Sequence, residues 1–413
     1  MAHSISGFNR EVLLSKIDDS EVISFTQKLI QIPSVNGNEA EAAAFIAAAC
    51  EQMGLKVIMR EILPGRPNVI AILPGNSEEI GLAFHGHTDT VPFLGMLNPT
   101  SGEIADGYIW GRGSVDQKGG LAAAIQAVFT LAKAKVHFKK GLAILAVIDE
   151  ESEHRGSFAL VKEGFKANYA IVTEPTDLQL MVANKGTVPI KIEFTGVLAH
   201  GSNPWLGVNA IEMAAKTIMK LRNISPKSAE IPGIGTMQGT LNIGLIQGGT
   251  AYNNVPDSCS IWIDRRTVPG ETQASVLAEI QQVLEHLTSE DYKFRAKAEV
   301  ARPDWKWEAI RDRGLNPALT SPKSPVAQAL TSAHKQATGK EVKLGYTNGY
   351  NDSDFLVNDL GIPTVNYGPG ESARSHTLDE KLRIDHLLTA VRVYLLAALE
   401  LLEEKEFSDV GEG

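Results

Sequence analysis

The pattern of apolar and polar positions divides the chain into two kinds of region. In the first, segments with helical periodicity, such as SEVISFTQKLIQ at 20–31, alternate with short apolar runs, such as GLAILAVIDE at 141–150. A continuous apolar run of that length is typical of a strand buried on both faces of a sheet. Strands that alternate with helices predict an α/β fold, with a mixed sheet flanked by helices.

Between 187 and 301 the pattern changes to strands with alternating apolar and polar positions, as in VPIKIEFT from Val188. Two amphipathic helices interrupt these strands, and the order becomes strand–helix–strand–strand–helix–strand. That order is typical of a ferredoxin-like α+β domain. We therefore predict a catalytic domain from 1–186 and 302–413, with an inserted α+β ferredoxin-like domain at 187–301.

Composition and charge exclude several classes of protein. The chain has 413 residues, of which 43% are hydrophobic and 21% charged, as in an ordinary globular enzyme. A net charge of −10 argues against a nucleic-acid partner. No apolar stretch is long enough to predict a signal peptide or a membrane span. The two cysteines, Cys50 and Cys259, are far apart, which indicates free thiols in a reducing, cytoplasmic compartment.

Polar side chains with metal-binding chemistry follow the apolar strand LAFHGH. His87 ends this strand, and Asp89 lies two residues further on, so that both point the same way. Asp89 is therefore expected to hydrogen-bond the far ring nitrogen of His87 and to orient it. Asp116 follows on the glycine-rich turn GRGSVDQKGG. These three residues predict the beginning of a metal site.

Further carboxylates follow two more buried strands. Glu150 and Glu151 end GLAILAVIDEE, and Glu174 lies in YAIVTEPT. A solvated acidic loop is the alternative, but the run directly follows a buried strand. A mixed set of histidines and carboxylates suits zinc, and also manganese or cobalt. The number of ligands indicates two ions bridged by one carboxylate, and Glu150 beside Glu151 is free to accept a proton from water. The candidate ligands are His87, Asp116, Glu151, Glu174 and His376.

The motifs together resemble those of a known enzyme family. HGHTDTVP, GRGSVDQKGG, DEE, VTEPT, LAHGS and SHTLDE are similar, in this order, to the motif series of the acetylornithine deacetylase and succinyl-diaminopimelate desuccinylase family. That family also contains aminoacylases and glutamate carboxypeptidases. Each motif alone is weak, whereas six in the right order are specific, and the resemblance covers about residues 20–400. It implies a zinc-peptidase-like catalytic domain that cleaves an amide bond.

The resemblance assigns a role to each of the candidate ligands. It implies that Asp116 bridges two divalent ions, most simply Zn²⁺, with Co²⁺ or Mn²⁺ as alternatives. His87 and Glu174 would complete one site, and Glu151 and His376 the other. By the same resemblance, Asp89 orients His87 and Glu150 is the general base.

Residues in and after the inserted domain resemble the family's substrate-binding positions. His200 in LAHGS matches the histidine that stabilises the oxyanion, which in dimeric members reaches the active site of the partner. Asn254 and Arg266 match substrate-binding positions, and Arg266 would grip a substrate carboxylate. From the residues alone, Arg266 is equally well explained by a surface ion pair. Gly368 and Gly370 match the loop that lines the substrate end of the site.

Several other polar residues are not assigned to the site. His85 could share the strand face of His87, but the family motif begins at the second histidine. Asp352 and Asp354 lie near a helix start, where capping is the default role, although Asp352 matches the family position better. We interpret His154, His286, His334 and His386 as surface or helix histidines rather than ligands.

Three functions are consistent with these residues. The first is hydrolysis of an N-acylated amino acid, and the second is a di- or tripeptidase or carboxypeptidase with the same site. The third is a metal-poor binding protein that keeps the fold, which is disfavoured because every ligand position is filled. The partners expected are a small N-acyl amino acid or short peptide and a second copy of the chain. The exposed strands of the inserted domain would form the homodimer.

Overall fold

A computed structural model of the chain describes residues 9–301 and 308–403. Among these residues no helix is both long enough and apolar enough to cross a membrane. The chain divides into two compact units. The first runs to Ala183 and includes Thr320–Tyr346 and the residues from Asn351; the second is Asn184–Leu319 with Thr347–Tyr350.

The limits of the second unit differ from the predicted limits of the inserted domain. It begins at Asn184 and continues to Leu319, beyond the predicted end at 301. One reason is that the backbone of Thr187 pairs with that of Leu315. Positions 302 and 303, where the predicted boundary falls, lie outside the described residues. The role of this unit as a lid stays a prediction.

The described residues contain ten α-helices. They are α1 (Arg10–Leu14), α2 (Asp19–Gln31), α3 (Ala40–Gln52), α4 (Lys118–Lys133), α5 (Arg155–Lys162), α6 (Ala210–Leu221), α7 (Gln273–Glu290), α8 (Glu308–Arg313), α9 (Pro325–Thr338) and α10 (Ile384–Leu402). Short 3-10 turns lie at Pro204–Leu206 and Ser372–Arg374, and a π-helical turn at Phe355–Asp359.

The same residues contain twenty strands, several of them short. They are β1 (Lys56–Leu63), β2 (Arg66–Leu73), β3 (Ile80–His87), β4 (Ile104–Ala105), β5 (Tyr108–Trp110), β6 (Gly141–Val147), β7 (Tyr169–Val172), β8 (Leu180–Asn184), β9 (Gly186–Thr195), β10 (Ala199–His200), β11 (Ser228–Ile231), β12 (Gly235–Gln238), β13 (Thr240–Gly248), β14 (Asn254–Val255), β15 (Ser258–Thr267), β16 (Ala296–Val300), β17 (Ala318–Leu319), β18 (Leu344–Thr347), β19 (Thr364–Asn366) and β20 (Lys381–Arg383).

The first unit is built on a mixed sheet, as predicted. Its strands follow the order β1–β2–β6–β3–β7–β19–β8. The central strands β6, β3, β7 and β19 are parallel to one another, whereas β1, β2 and β8 pair with their neighbours in antiparallel fashion. Every residue of β6 is buried, which confirms the strand predicted from its continuous apolar run.

Helix α4 packs against β3 and against α2 and α10. It begins at Lys118 and includes Gly119 and Gly120. A Cβ atom on Gly120 would lie 2.0 Å from the carbonyl oxygen of Thr173. Glycine therefore lets the start of the helix approach the end of β7 so closely that no side chain fits between them. This close approach brings Asp116 next to the end of the sheet.

The second unit contains a four-stranded antiparallel sheet in the order β13–β15–β9–β16. Helices α6 and α7 pack on this sheet, and their apolar faces meet its inward residues in one core that includes Ile192, Ile261 and Ile280. The elements therefore follow the order strand–helix–strand–strand–helix–strand that the sequence indicates. Its sheet order is that of a ferredoxin-like fold.

Candidate metal centre

The candidate ligands follow three adjacent parallel strands. Strand β3 ends at His87, β6 ends just before Glu150 and Glu151, and β7 ends just before Glu174. Because β3 lies between β6 and β7 and is parallel to both, the three ends meet at one edge of the sheet. Ligand sites of α/β sheets lie outside such carboxyl ends.

Asp116 lies between two histidines that are 289 positions apart in the sequence. Its Oδ1 is 3.2 Å from Nε2 of His87, and its Oδ2 is 3.4 Å from Nε2 of His376. Nε2 of His376 is also 3.0 Å from Oε1 of Glu151. The two oxygens of one carboxylate therefore face two different histidines.

Glu174 lies on the His87 side of this group. Its Oε1 is 3.9 Å from Nε2 of His87 and accepts a hydrogen bond of 2.5 Å from the side-chain amide of Gln117. The carbonyl oxygen of that amide accepts a hydrogen bond from the hydroxyl of Thr173, at 2.7 Å. Gln117 therefore holds the Glu174 carboxylate through its side-chain amide.

Asp89 contacts His87 through a different atom from the one expected. Nδ1 of His87 lies 2.8 Å from the backbone oxygen of Asp89 and 3.6 Å from its carboxylate. A carbonyl oxygen can only accept, so Nδ1 carries the proton and Nε2 is left free as a ligand atom. The carboxylate instead accepts the backbone N–H groups of Glu150 and Glu151, at 3.1 and 3.0 Å. Asp89 thus contacts candidate residues at the ends of two different strands, His87 at the end of β3 and the pair Glu150 and Glu151 after β6.

Asp149 belongs to a buried network that sequence reasoning missed. Its carboxylate accepts hydrogen bonds from Arg66 at 2.9 Å, from Arg155 at 2.8 Å and from Asn36 at 3.1 Å. Asn36 also donates to the carboxylate of Asp89 at 2.9 Å. These bonds hold the loop that follows β6, and therefore the backbone of the DEE motif.

Glu380, in the SHTLDE motif, anchors the loop that carries Asp116. Its Oε1 accepts the backbone N–H groups of Val115 and Asp116, at 3.0 and 3.1 Å. Its Oε2 accepts a hydrogen bond of 2.5 Å from Arg112, and both side chains are buried. The motif therefore contributes to the site at two points, through His376 and through this anchor.

Two histidines that the sequence assigned to surface or helix positions are buried. His154 is 5% exposed, and its Nδ1 lies 2.9 Å from Oδ1 of Asp352. His334 is also buried, with its Nδ1 2.9 Å from the hydroxyl of Tyr367. One carboxylate oxygen of Glu150 lies within 4.8 Å of ligand atoms of both His154 and Asp352. Asp352 is therefore part of the surroundings of the site rather than a helix cap.

The charges at this edge of the sheet favour a bound cation. Burial, together with Asp116, raises the pKa of Glu174 well above its ordinary value, and burial raises that of Glu150 in the same way. Hydrogen bonds with Asp116 and Glu151 raise the pKa of His376 to about 10. Burial thus disfavours the ionised form of these two carboxylates, and a nearby cation would offset that cost.

The donor set fits divalent metal ions. One nitrogen of His87 and one oxygen each of Asp116 and Glu151 lie within 4.8 Å of one another. Imidazole and carboxylate donors are those that zinc takes in hydrolytic sites. A divalent cation would also reverse the pKa shifts of Glu150, Glu174 and His376, because it stabilises ionised carboxylates and neutral histidines.

Two of the predicted substrate-binding residues of the second unit, His200 and Asn254, lie on two-residue strands, and Arg266 lies on the long strand β15. His200 on β10 pairs directly with Asn254 on β14. Nδ1 of His200 accepts the backbone N–H of Ser202 at 3.1 Å, so the ring proton lies on Nε2. Arg266 forms an ion pair with Asp264 at 3.0 Å, and its side chain is one-third exposed. These contacts fit the interpretation of Arg266 as a surface ion pair.

The predicted substrate loop packs against the end of β7. A Cβ atom on Gly368 would lie 2.4 Å from the backbone oxygen of Glu174, and Gly370 has a positive φ of 91°. Both positions therefore require glycine. Gly368 lies where any side chain would displace the backbone of a candidate metal ligand.

Comparisons with known proteins agree with this arrangement. The chain matches peptidase family M20/M25/M40 over residues 83–400. An acetylornithine deacetylase from Vibrio cholerae is 36% identical over 374 residues, which are 86% of this chain and 90% of that protein. An N-formyl-4-amino-5-aminomethyl-2-methylpyrimidine deformylase from Halalkalibacterium halodurans is 29% identical, over 93% of this chain and 96% of that one.

A solved structure shows the same fold. The crystal structure of an aminopeptidase from Bacillus cereus superposes with a TM-score of 0.77, over 94% of this chain and 99% of that one, at 24% identity. The family match covers most of the chain and confirms the resemblance found in the six motifs. The chain belongs to peptidase family M20/M25/M40, and it is a metal-dependent hydrolase of amide bonds.

Proposed function

We propose that the protein removes a short acyl group from the nitrogen of a small amine or amino acid. The observation that carries the hydrolytic part of this proposal is the position of Glu150, which lies 3.9 Å from Nε2 of His87 and also within 4.8 Å of ligand atoms of His154 and Asp352. The two curated relatives remove a formyl and an acetyl group, according to their names, which supports a short acyl group.

Two divalent ions would be held on either side of Asp116. The distances support this proposal, because one oxygen of Asp116 faces His87 and the other faces His376. Glu174 lies on the His87 side and Glu151 on the His376 side, so each ion would have a histidine and a carboxylate besides Asp116. We expect zinc, with cobalt or manganese as alternatives.

The side chains of the protein then divide the work of hydrolysis. Divalent ions held here would lower the pKa of water and polarise an amide carbonyl. Glu150 accepts the proton of the attacking water and later transfers it to the leaving amine. His200 donates from Nε2 to the oxygen that becomes negative, since its Nδ1 is already occupied by the backbone N–H of Ser202.

Replacing His200 by alanine should lower kcat by about 10²- to 10³-fold, as expected for the loss of one donor to an oxyanion. Metal content and the melting temperature should not change, because His200 is exposed. The matched control is Ser202→Ala, which removes the hydroxyl 2.7 Å from Nδ1 but keeps the backbone N–H that donates to it, and its loss of kcat should be much smaller. Equal losses in the two variants would contradict a direct role for His200.

We also propose that the second unit acts as a lid and forms a homodimer. Strand β13 is an edge of its sheet, most of its residues are exposed, and Leu245 and Ile246 are 42% and 50% exposed. Such an edge is available for pairing with a second copy. Light scattering should give twice the chain mass, and a monomer at all concentrations would remove the proposal.

A cytoplasmic location fits the two thiols. Cys50 and Cys259 are both free and buried among the described residues. Thiols left unpaired in this way are usual in a reducing compartment. Fractionation of the cells that produce the protein would test this point directly, and recovery outside the cytoplasm would contradict it.

A panel of substrates separates deacylase from peptidase. N-formyl and N-acetyl amino acids, the N-formyl aminomethylpyrimidine, and di- and tripeptides should be compared by kcat/KM. We expect the highest kcat/KM for the N-formyl or N-acetyl compounds, and a preference for peptides would favour the alternative, a peptidase.

Methyl esters of the substrates test the role of Arg266. If Arg266 binds a substrate carboxylate, Arg266→Ala should raise KM for the free acids alone. No bound metal and no turnover would indicate a binding protein.

A further inference from the structure

A second group of polar side chains lies under the metal centre and is used neither as ligand nor as base. The four residues of this group are all buried, with exposures of 5% or less, and we name it the Asp352 cluster. They come from strand β3, the start of helix α5 and the segment before the π-helical turn: His85, His154, Ser157 and Asp352.

Hydrogen bonds fix which groups donate and which accept around Asp352. The hydroxyl of Ser157 donates to Oδ2 of Asp352 at 2.7 Å, and Nδ1 of His154 lies 2.9 Å from Oδ1. A carboxylate can only accept, so Nδ1 of His154 is the donor. The hydroxyl of Ser157 has given its single proton to Asp352, so it accepts from Nε2 of His85 at 2.8 Å. Both oxygens of Asp352 are therefore occupied.

His154 is held in place by more than this bond. It has a positive φ of 55°, and its ring lies 5.8 Å from the buried ring of Phe355. Its backbone N–H donates to the carbonyl of Asp149 at 2.7 Å. A residue other than glycine keeps such a backbone conformation only when its surroundings determine it. The imidazole is therefore a fixed group rather than a mobile one.

The fixed imidazole lies next to the proposed base. A carboxylate oxygen of Glu150 is within 4.8 Å of ligand atoms of both His154 and Asp352. On its other side, Glu150 is 3.9 Å from Nε2 of His87. A general base must be held within hydrogen-bond reach of the proton that it takes, and a glutamate has three side-chain torsions to restrict.

We propose that Asp352 and His154 are positioning residues for Glu150. Asp352 holds the imidazole of His154, and the imidazole confines the Glu150 carboxylate to the side of the site where water is activated. The inference rests on the proposed function, since it assumes that Glu150 is the base. It assigns the geometry of the cluster to turnover rather than to metal binding or to folding alone.

Three single variants test this inference in the metal-loaded protein. Asp352→Asn and His154→Asn should lower kcat by about 10- to 100-fold, the range typical for partners that orient a group in the site. KM and metal content should not change. Ser157→Ala is the matched control, because it also removes one hydrogen bond to Asp352 but leaves the bond to His154. Its loss of kcat should be much smaller.

Two further measurements separate positioning from a structural role. In a Glu150→Gln background, Asp352→Asn should cause no further loss of the residual turnover, because both changes act on the same group. In crystals of the metal-free protein, the Glu150 side chain should have one conformation in the wild type and more than one in Asp352→Asn or His154→Asn.

Several outcomes would overturn the inference. The first is a wild-type kcat in His154→Asn, and the second is an equal loss in His154→Asn and Ser157→Ala. A third is a loss of kcat that parallels a loss of metal content or a lower melting temperature in all three variants. If Asp352→Asn does not fold, His154→Asn decides alone. If Glu150→Gln itself keeps normal turnover, the assignment of the base fails instead.

Discussion

Glu150→Gln should keep both metal ions and lose most of its turnover. The neighbouring carboxylates Glu150 and Glu151 face different partners: Glu151 lies 3.0 Å from His376, whereas Glu150 lies beside His154 and Asp352. Successive side chains that leave a strand point in different directions, so the two do not ligate the same ion easily. Glutamine keeps the size of the side chain but cannot accept a proton from water.

The expected loss of kcat for Glu150→Gln is about 100- to 10,000-fold, the usual contribution of a general acid–base group. Substrate should still bind with near-normal affinity, because the residues that hold metal are unchanged. The measurement is metal content by mass spectrometry and substrate affinity, beside the turnover number.

The adjacent residue provides the matched control for this variant. Glu151→Ala should lose part of the metal, since Glu151 is a proposed ligand next to His376. Near-normal turnover in Glu150→Gln, or the loss of an ion from it, would show that base and ligand are assigned the wrong way round.

The central sheet could be predicted because its strands are short apolar runs between amphipathic helices. Strand β6 is buried at every position, and β3 ends at His87 as its pattern indicates. The meeting of the strand ends also follows from the sequence, since parallel neighbours place their carboxyl ends at one edge. For this reason, residues that follow three separate strands could be assigned to one site.

The groups that orient these ligands could not be predicted from spacing. His154 and Asp352 are 198 positions apart, and Glu380 reaches the backbone of Asp116 over 264. No periodicity connects residues at such distances, and a histidine next to a helix start looks like an exposed residue. The π-helical turn after Asp352 has no simple sequence signal either. The family position of Asp352 was the available hint.

The pattern of apolar and polar positions also did not indicate several short strands. Strand β8 runs directly into the second unit, and β11 and β12 form a hairpin of four residues each. Segments of this length contain too few alternating positions to show a period of two. The extension of the second unit to Leu319 has a related cause, because it involves isolated contacts such as the backbone pairing of Thr187 with Leu315 and the hydrogen bond from Gln273 to the backbone of Arg311.

Asp116→Ala should lose both metal ions and, with them, all measurable turnover. Its two oxygens are the only carboxylate pair within 3.4 Å of two histidines among the described residues. Removing a carboxylate that serves two ions leaves each ion with only one histidine and one carboxylate. His87→Ala and His376→Ala should each mainly weaken one ion, because each histidine faces one oxygen of Asp116.

The control for Asp116→Ala is Asp379→Ala, in the same motif as His376 but with an exposed side chain next to Arg374. It should keep two ions per chain and normal turnover. Metal content should be measured after dialysis against a fixed concentration of free zinc, so that affinities and not only stoichiometries are compared. Full metal content in Asp116→Ala would contradict the bridge. Loss of both ions in His87→Ala as well would indicate that the two sites form only together.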